Sequence, residues 1–230
     1  MKQRYEAKRR PVQLRKGPGL STLAILLALL WALVAPAAAA TDPPAQAAKK
    51  TVLVLGDSLS AAYGLAPAQG WVALTADRLR TERPGWTLAN ASVSGETTDG
   101  GASRIAGELE RHRPAVVVIE LGANDGLRGL DLARTRANLE KMVVAAKGRG
   151  AKVLLLGMRI PPNYGSRYTE GFARVFVEVS DVHGTALLPF LLEPIATDRD
   201  AFLPDNLHPD ADAQPALRDH VWTALMPLLD

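Results

Sequence analysis

The sequence predicts an α/β protein, one doubly wound domain in which a parallel sheet of five strands is covered by helices on both faces. Two observations carry this. Runs such as TVLVLG, AVVVIELG, KVLLLG and ALLPF are continuously apolar rather than alternating, the pattern of strands buried on both faces. Stretches of helical pattern separate them through the whole chain, with no internal repeat and no second linker. The chain has 230 residues, 47% of them hydrophobic, which is enough for one sizeable core.

Taken in order, residues 1–19 are basic, residues 20–35 (LSTLAILLALLWALVA) are apolar, and Pro36 with four alanines follows. Basic head, apolar middle and small-residue end are the parts of a secretory signal, and cleavage is expected near Ala40. As a helix the apolar run reaches only ~24 Å against a hydrocarbon core of ~30 Å. The rival reading of the same run is an uncleaved anchor. Residues 41–50 (TDPPAQAAKK) read as a linker into a domain spanning 51–230.

Strands are expected at 52–56, 86–91, 115–121, 152–157 and 186–190, and helices at 71–81, 98–111, 131–147, 169–183 and 212–229. Asp131 and Thr169 stand where helix caps belong, and Gly148 and Gly184 where helices stop. Asp210 and Asp212 read as acids of the last helix's first turn. In such a sheet, functional groups collect at the carboxyl ends of the strands. The polar clusters GDSL (56–59), NASVSGETT (90–98) and GAND (122–125) follow the first three strands, and DNLH (205–208) precedes the last helix.

Charge and composition remove several classes of function. The formal charge is +3, but residues 1–40 hold seven Lys/Arg and one Glu, so the remainder is net −3 and gives no case for nucleic acid. The absence of cysteine excludes disulfides, thiolate metal sites and a cysteine nucleophile. No histidine or carboxylate cluster has metal-ligand spacing, and no pair of acids stands out as a glycosidase dyad. Neither phosphate-binding glycine motif, G-x-G-x-x-G or G-x-x-x-x-G-K-[ST], is present.

Ser58 leaves a buried strand on a glycine-led turn, which reads either as an exposed nucleophile or as a plain turn serine. The G-x-S-x-G elbow is missed, because Ser60 occupies the last glycine position. Of the four histidines, His112 and His183 end helices and His220 lies inside one. His208 stands apart in a loop three residues after Asp205, a spacing at which a carboxylate can orient an imidazole, although a capping loop has the same look. The Asn124 amide and the N–H groups of Gly95 and Ser58 are candidates for one oxyanion hole. Asp57, Glu120 and Asp125 read as turn or network acids.

Each feature is weak alone, but GDSL, SGET, G-x-N-D and D-x-x-H in this order resemble the four blocks of the SGNH (GDSL-type) hydrolase superfamily. Within it the likeness is to the bacterial periplasmic thioesterase, protease, lysophospholipase and arylesterase group. Matching stretches such as LVLGDSLSAAYGL, ELGANDGLRGL and RIPPNYGSRY recur along nearly all of 51–230. The resemblance implies a three-layer, flavodoxin-like sandwich and an exported, signal-bearing esterase and thioesterase that works through an acyl-Ser58 intermediate. It implies His208 as base, Asp205 as its orienting acid, and Ser58, Gly95 and Asn124 as the oxyanion hole. It implies no metal or organic cofactor, and substrates that are small acyl esters, thioesters or lysophospholipids. It places Leu127, Leu130, Ile160, Pro161 and Tyr164 along an acyl-binding groove. A monomer without nucleic acid or a stable membrane span after cleavage is expected. A carbohydrate deacetylase and a non-catalytic acyl- or lipid-binding domain are the competing readings.

Overall fold

The structure, a computed structural model, describes residues 49–230. The expected signal at 1–40 and most of the linker lie outside the described residues. The elements are β1 (Lys50–Gly56), α1 (Trp71–Glu82), β2 (Trp86–Asn90), α2 (Thr98–His112), β3 (Val116–Glu120) and α3 (Ala123–Leu127). They continue with α4 (Leu132–Gly148), β4 (Lys152–Leu156), α5 (Ser166–His183), β5 (Ala186–Leu188) and α6 (Gln214–Leu225).

All ladders are parallel, in the spatial order β2–β1–β3–β4–β5, so the sheet and layers follow the expected α/β design. Leu53 pairs with Ala89 on one side and Val117 on the other, and Val118 with Leu154. Val52 to Leu55 and Val116 to Ile119 are essentially inaccessible, which is why these strands read as unbroken apolar runs. One layer is formed by α2, α4 and α5, which pack in sequence, and the other by α1 against α6. Because the chain steps outward from β1 to β2 and then returns to β3, the carboxyl ends of β1 and β3 part at a switch point. A crevice opens there.

Local chemistry explains where the sequence-based bounds shift. Lys50 already belongs to β1, its N–H bonded to the Gly85 carbonyl, so the linker is one residue shorter at its end. β5 stops at Leu188 because Pro189 has no N–H to give to a ladder. Asp131 caps α4 as expected, accepting from the N–H groups of Ala133 and Arg134. Thr169 is not a cap. α5 begins three residues earlier, after Gly165 at φ +86°, and the Thr169 hydroxyl turns back to the Gly165 carbonyl. Gly184 closes α5 in the left-handed region, as expected. Asp210 and Asp212 precede α6 rather than opening it, and Asp210 accepts from Ala213 N–H in the turn before Pro215.

Candidate active site

Ser58 begins a turn directly after β1. The preceding residue holds that turn, since Asp57 Oδ1 accepts the Leu59 N–H at 3.0 Å. Below it lies Glu120, the last residue of β3, whose Oε2 accepts the Asp57 N–H at 3.2 Å and the Ser60 hydroxyl at 2.7 Å. A Cβ on Gly56 would meet both Ser60 Oγ and Glu120 Oε2 within 2.8 Å, so this corner admits only glycine. Ser60, which spoils the usual serine-hydrolase elbow, is therefore a buried strut.

His208 reaches this serine from the long segment between β5 and α6. Its Nε2 lies 2.9 Å from Ser58 Oγ, and its Nδ1 lies 2.6 Å from Asp205 Oδ2. The loop is fastened at its base, where Phe202 and Pro209 form an antiparallel bridge and Leu203 N–H donates to the His208 carbonyl. Asp205 Oδ1 also accepts the backbone N–H groups of Leu207 and His208. Partial desolvation works against ionisation, but these N–H donors and the imidazole outweigh it and hold the Asp205 carboxyl at about 2. The three side chains thus stand in the geometry that a nucleophile, its base and an orienting acid require.

Two glycines shape the opposite wall. Gly95, at φ +80°, turns the chain after β2, and neither its N–H nor that of Ser58 has a hydrogen-bond partner among the described residues. Gly122, at φ +124° with the Phe176 ring 3.0 Å from where a Cβ would sit, starts the short helix α3 that carries Asn124. Asn124 Nδ2 donates to Asp57 Oδ2 at 3.1 Å and to the Glu96 carbonyl at 3.0 Å. Asp125 accepts from Thr98 N–H and Oγ1, which ties α3 to the start of α2. Glu96, not singled out in the sequence, is gripped by Arg104, and Arg128 donates to the Gly95 carbonyl. The Gly95 loop is thereby clamped from both sides.

Asp57 and Glu120 are fully buried acids beside the nucleophile. Burial raises the Asp57 carboxyl to about 6, and the bonds from Leu59 and Asn124 only partly offset it. Burial and the neighbouring Asp57 charge push Glu120 well above its usual value. Glu120 Oε1 has no hydrogen-bond partner among the described residues, and burial together with the adjacent Asp57 charge keeps Glu120 neutral.

Ser58 opens onto a cleft of about 530 Å³. Leu127, Ile160 and Pro161 line it, together with His208, Gly95 and Asn124. Leu130 and Tyr164 do not line it. Leu130 lies past the turn at Gly129, with its N–H on the Asp125 carbonyl and its carbonyl on the Tyr168 hydroxyl. The Tyr164 hydroxyl donates to the Leu127 carbonyl and straps the cleft wall from outside. The structure adds Tyr63, Met158, Phe190, Leu192, Phe202 and Leu207 to the lining. Of the other histidines, His112 pairs with Glu108, and His220 Nε2 lies 3.0 Å from the Phe190 carbonyl. Among the described residues no group of three or more His, Asp or Glu is placed to hold a metal, and no helix is long and apolar enough to cross a membrane.

A serine, histidine and aspartate assembled at the switch point of a parallel α/β sheet define a serine hydrolase. Comparison with known proteins gives the family. Residues 54–214 match the GDSL-like Lipase/Acylhydrolase family, and the chain belongs to it. It is 50% identical over 184 residues to the esterase TesA of Pseudomonas aeruginosa, covering 80% of this chain and 92% of that protein. It is 40% identical over 182 residues to an arylesterase of Vibrio mimicus, covering 79% and 91%. It is 37% identical over 184 residues to thioesterase 1/protease 1/lysophospholipase L1 of Escherichia coli K12, covering 80% and 87%. The crystal structure of TesA superposes with a TM-score of 0.76 at 49% identity, covering 78% of this chain and 99% of that one. The chain is an SGNH hydrolase acting on carboxylic esters.

Proposed function

We propose that this protein is an exported serine esterase that cleaves acyl esters and acyl thioesters through an acyl-Ser58 intermediate. The observation that carries the reading is the continuous line from Asp205 through His208 to Ser58 Oγ, with contacts of 2.6 and 2.9 Å. His208 takes the proton as Ser58 Oγ bonds to the acyl carbon, and gives it to the leaving oxygen or sulfur. Water, activated by the same nitrogen, then releases the acid. Asp205 keeps Nδ1 protonated and Nε2 free to accept.

The oxyanion is met by the unpartnered N–H groups of Ser58 and Gly95. Asn124 completes the hole by exchanging its bond to the Glu96 carbonyl for one to the oxyanion. Its second proton stays on the Asp57 carboxylate, because a charged acceptor holds a proton more strongly than a peptide carbonyl. The apolar lining favours acyl chains, and lysophospholipids and aryl esters, the substrates named for the relatives, suit it better than acylated sugars.

The basic, apolar and alanine-rich segments of residues 1–40 support export. The test is hydrolysis of short- and long-chain p-nitrophenyl esters, acyl-CoA and lysophosphatidylcholine by the purified chain, with Ser58→Ala alongside. Serine-dependent turnover is expected. Wild-type rates in Ser58→Ala would overturn the mechanism, and an uncut N-terminus in protein made by a bacterial host would overturn cleavage of the signal.

A further inference from the structure

The catalytic imidazole has an aromatic neighbour that proton transfer does not require. The Tyr63 ring packs on the His208 ring with centroids 4.4 Å apart and planes tilted by 38°. Tyr63 is 51% exposed, yet it lines the same cleft. The backbone places it there at some cost. Ala62 takes φ +57°, a conformation unfavourable for a residue with a Cβ, and the Tyr63 N–H donates to the Ser58 carbonyl at 3.2 Å. The turn that presents the nucleophile therefore also presents this ring. Leu207, 44% exposed and next to His208 in the chain, lines the same cleft.

The reaction assigns the two sides of the site. Around the tetrahedral carbon on Ser58 Oγ, one oxygen faces the N–H groups of Ser58 and Gly95. The leaving atom must lie within hydrogen-bond reach of His208 Nε2 to collect its proton. The leaving group is therefore drawn to the wall that flanks His208. The acyl chain is left the remainder of the cleft, toward Ile160, Phe190 and Phe202.

We propose that Tyr63 and Leu207 form a leaving-group subsite that takes flat, apolar alcohol moieties, aromatic ones above all. This rests on the acyl-Ser58 reading. In the step concerned, the Ser58 Oγ–acyl carbon bond forms, the bond from acyl carbon to aryl oxygen breaks, and the serine proton passes through His208 to the departing aryloxide. An aromatic leaving group stacks on the free face of Tyr63, which an alkyl alcohol cannot do, and such ring pairs favour the aryl ester about 3- to 10-fold. The subsite acts on acylation only. Deacylation proceeds from one acyl-enzyme whatever the leaving group was.

The test compares 2-naphthyl butyrate with ethyl butyrate on the full chain, with acid release followed by titration and naphthol release by fluorescence. Tyr63→Ala, Tyr63→Leu and Tyr63→Phe are measured beside the wild type. In the Ala and Leu variants kcat/KM for the naphthyl ester is expected to fall about 3- to 10-fold further than for the ethyl ester. The rate of butyryl-enzyme breakdown stays fixed. Phe restores the ratio, because the ring and not the hydroxyl meets His208. Equal losses on both esters, or slowed deacylation, would reduce Tyr63 to a support for His208 and overturn the subsite. Tyr63→Leu keeps the question open to measurement if the alanine variant does not fold. Undiminished turnover of both esters by Ser58→Ala would instead remove the acyl-Ser58 reading on which the subsite stands.

Discussion

Asn124 and Asp57 are joined by a hydrogen bond of 3.1 Å between the amide Nδ2 and the carboxylate Oδ2. The residue before Ser58 thus steers the Asn124 amide, proposed above as an oxyanion donor, and the same carboxylate holds the Ser58 turn through Leu59. Replacing Asp57 by Asn keeps an oxygen for Leu59 but sets an NH₂ group against the Asn124 NH₂ group. The Asn124 amide then turns away. Asp57→Asn is expected to lower kcat by about 10²-fold with little change in KM, and Asn124→Ala by about 10²–10³-fold. The double variant should lose little more than Asn124→Ala alone, since both changes remove one donor. Fully additive losses in steady-state kinetics would break the link.

The buried pair makes stability depend on pH. Both carboxyls are raised on folding, so over the window from the ordinary carboxylate range up to about 6 for Asp57, the folded chain holds protons that the unfolded chain has released. For a raised acid, stability is full below the unfolded value and declines as pH rises through the folded one. Glu120→Gln stays neutral throughout and keeps an oxygen for Asp57 N–H and Ser60. Its Tm relative to wild type should therefore improve steadily from pH 5 to pH 8. A constant difference across that range would mean that Glu120 is not the proton carrier.

Much of this arrangement is legible in the sequence, and the division has physical reasons. Strands buried on both faces announce themselves because no position needs to be polar, as in Val116 to Ile119. Ser58, Asn124 and His208 are legible because chemistry restricts their residue types and the family's fold sets the order of the blocks that carry them. The cleft lining is not. Leu192 and Phe202 lie in a segment without helical or strand period and Phe190 ends an expected strand, and an apolar residue at any of them looks the same whether it fills the core or faces a substrate. Leu130 and Tyr164 show the converse error. They sit beside lining residues in sequence, but a turn and a hydrogen-bonded strap carry them outside. Glu120 offered a faint signal, as the one acid in an otherwise apolar strand.

Asp205 acts in the opposite sense to the buried pair. Its carboxyl is held at about 2, so its contribution is complete above the ordinary carboxylate value and is lost only as pH falls toward 2. Between pH 4 and pH 8 it stays ionised. The acid limb of kcat/KM should then owe nothing to Asp205. Asp205→Asn keeps the shape but permits the wrong imidazole tautomer, and kcat should drop by a factor on the order of 10⁴. A wild-type acid limb that disappeared in Asp205→Asn would show instead that Asp205 itself titrates in that range.

The cleft should be read out by chain length. Each methylene that leaves water is worth ~0.8 kcal/mol, so kcat/KM is expected to rise about fourfold per carbon while the acyl chain still fits against Ile160, Phe190, Leu192 and Phe202. Leu192→Trp shortens the apolar wall, and its profile of p-nitrophenyl esters should peak at a shorter chain than the wild type. Leu130→Ser changes a side chain that points away from the cleft and should leave the position of the peak where it is. The two variants separate position in space from position in sequence. If Leu130→Ser moved the peak and Leu192→Trp did not, the acyl chain would run along the turn at Gly129 rather than through the cleft, and the assignment of its walls would be reversed.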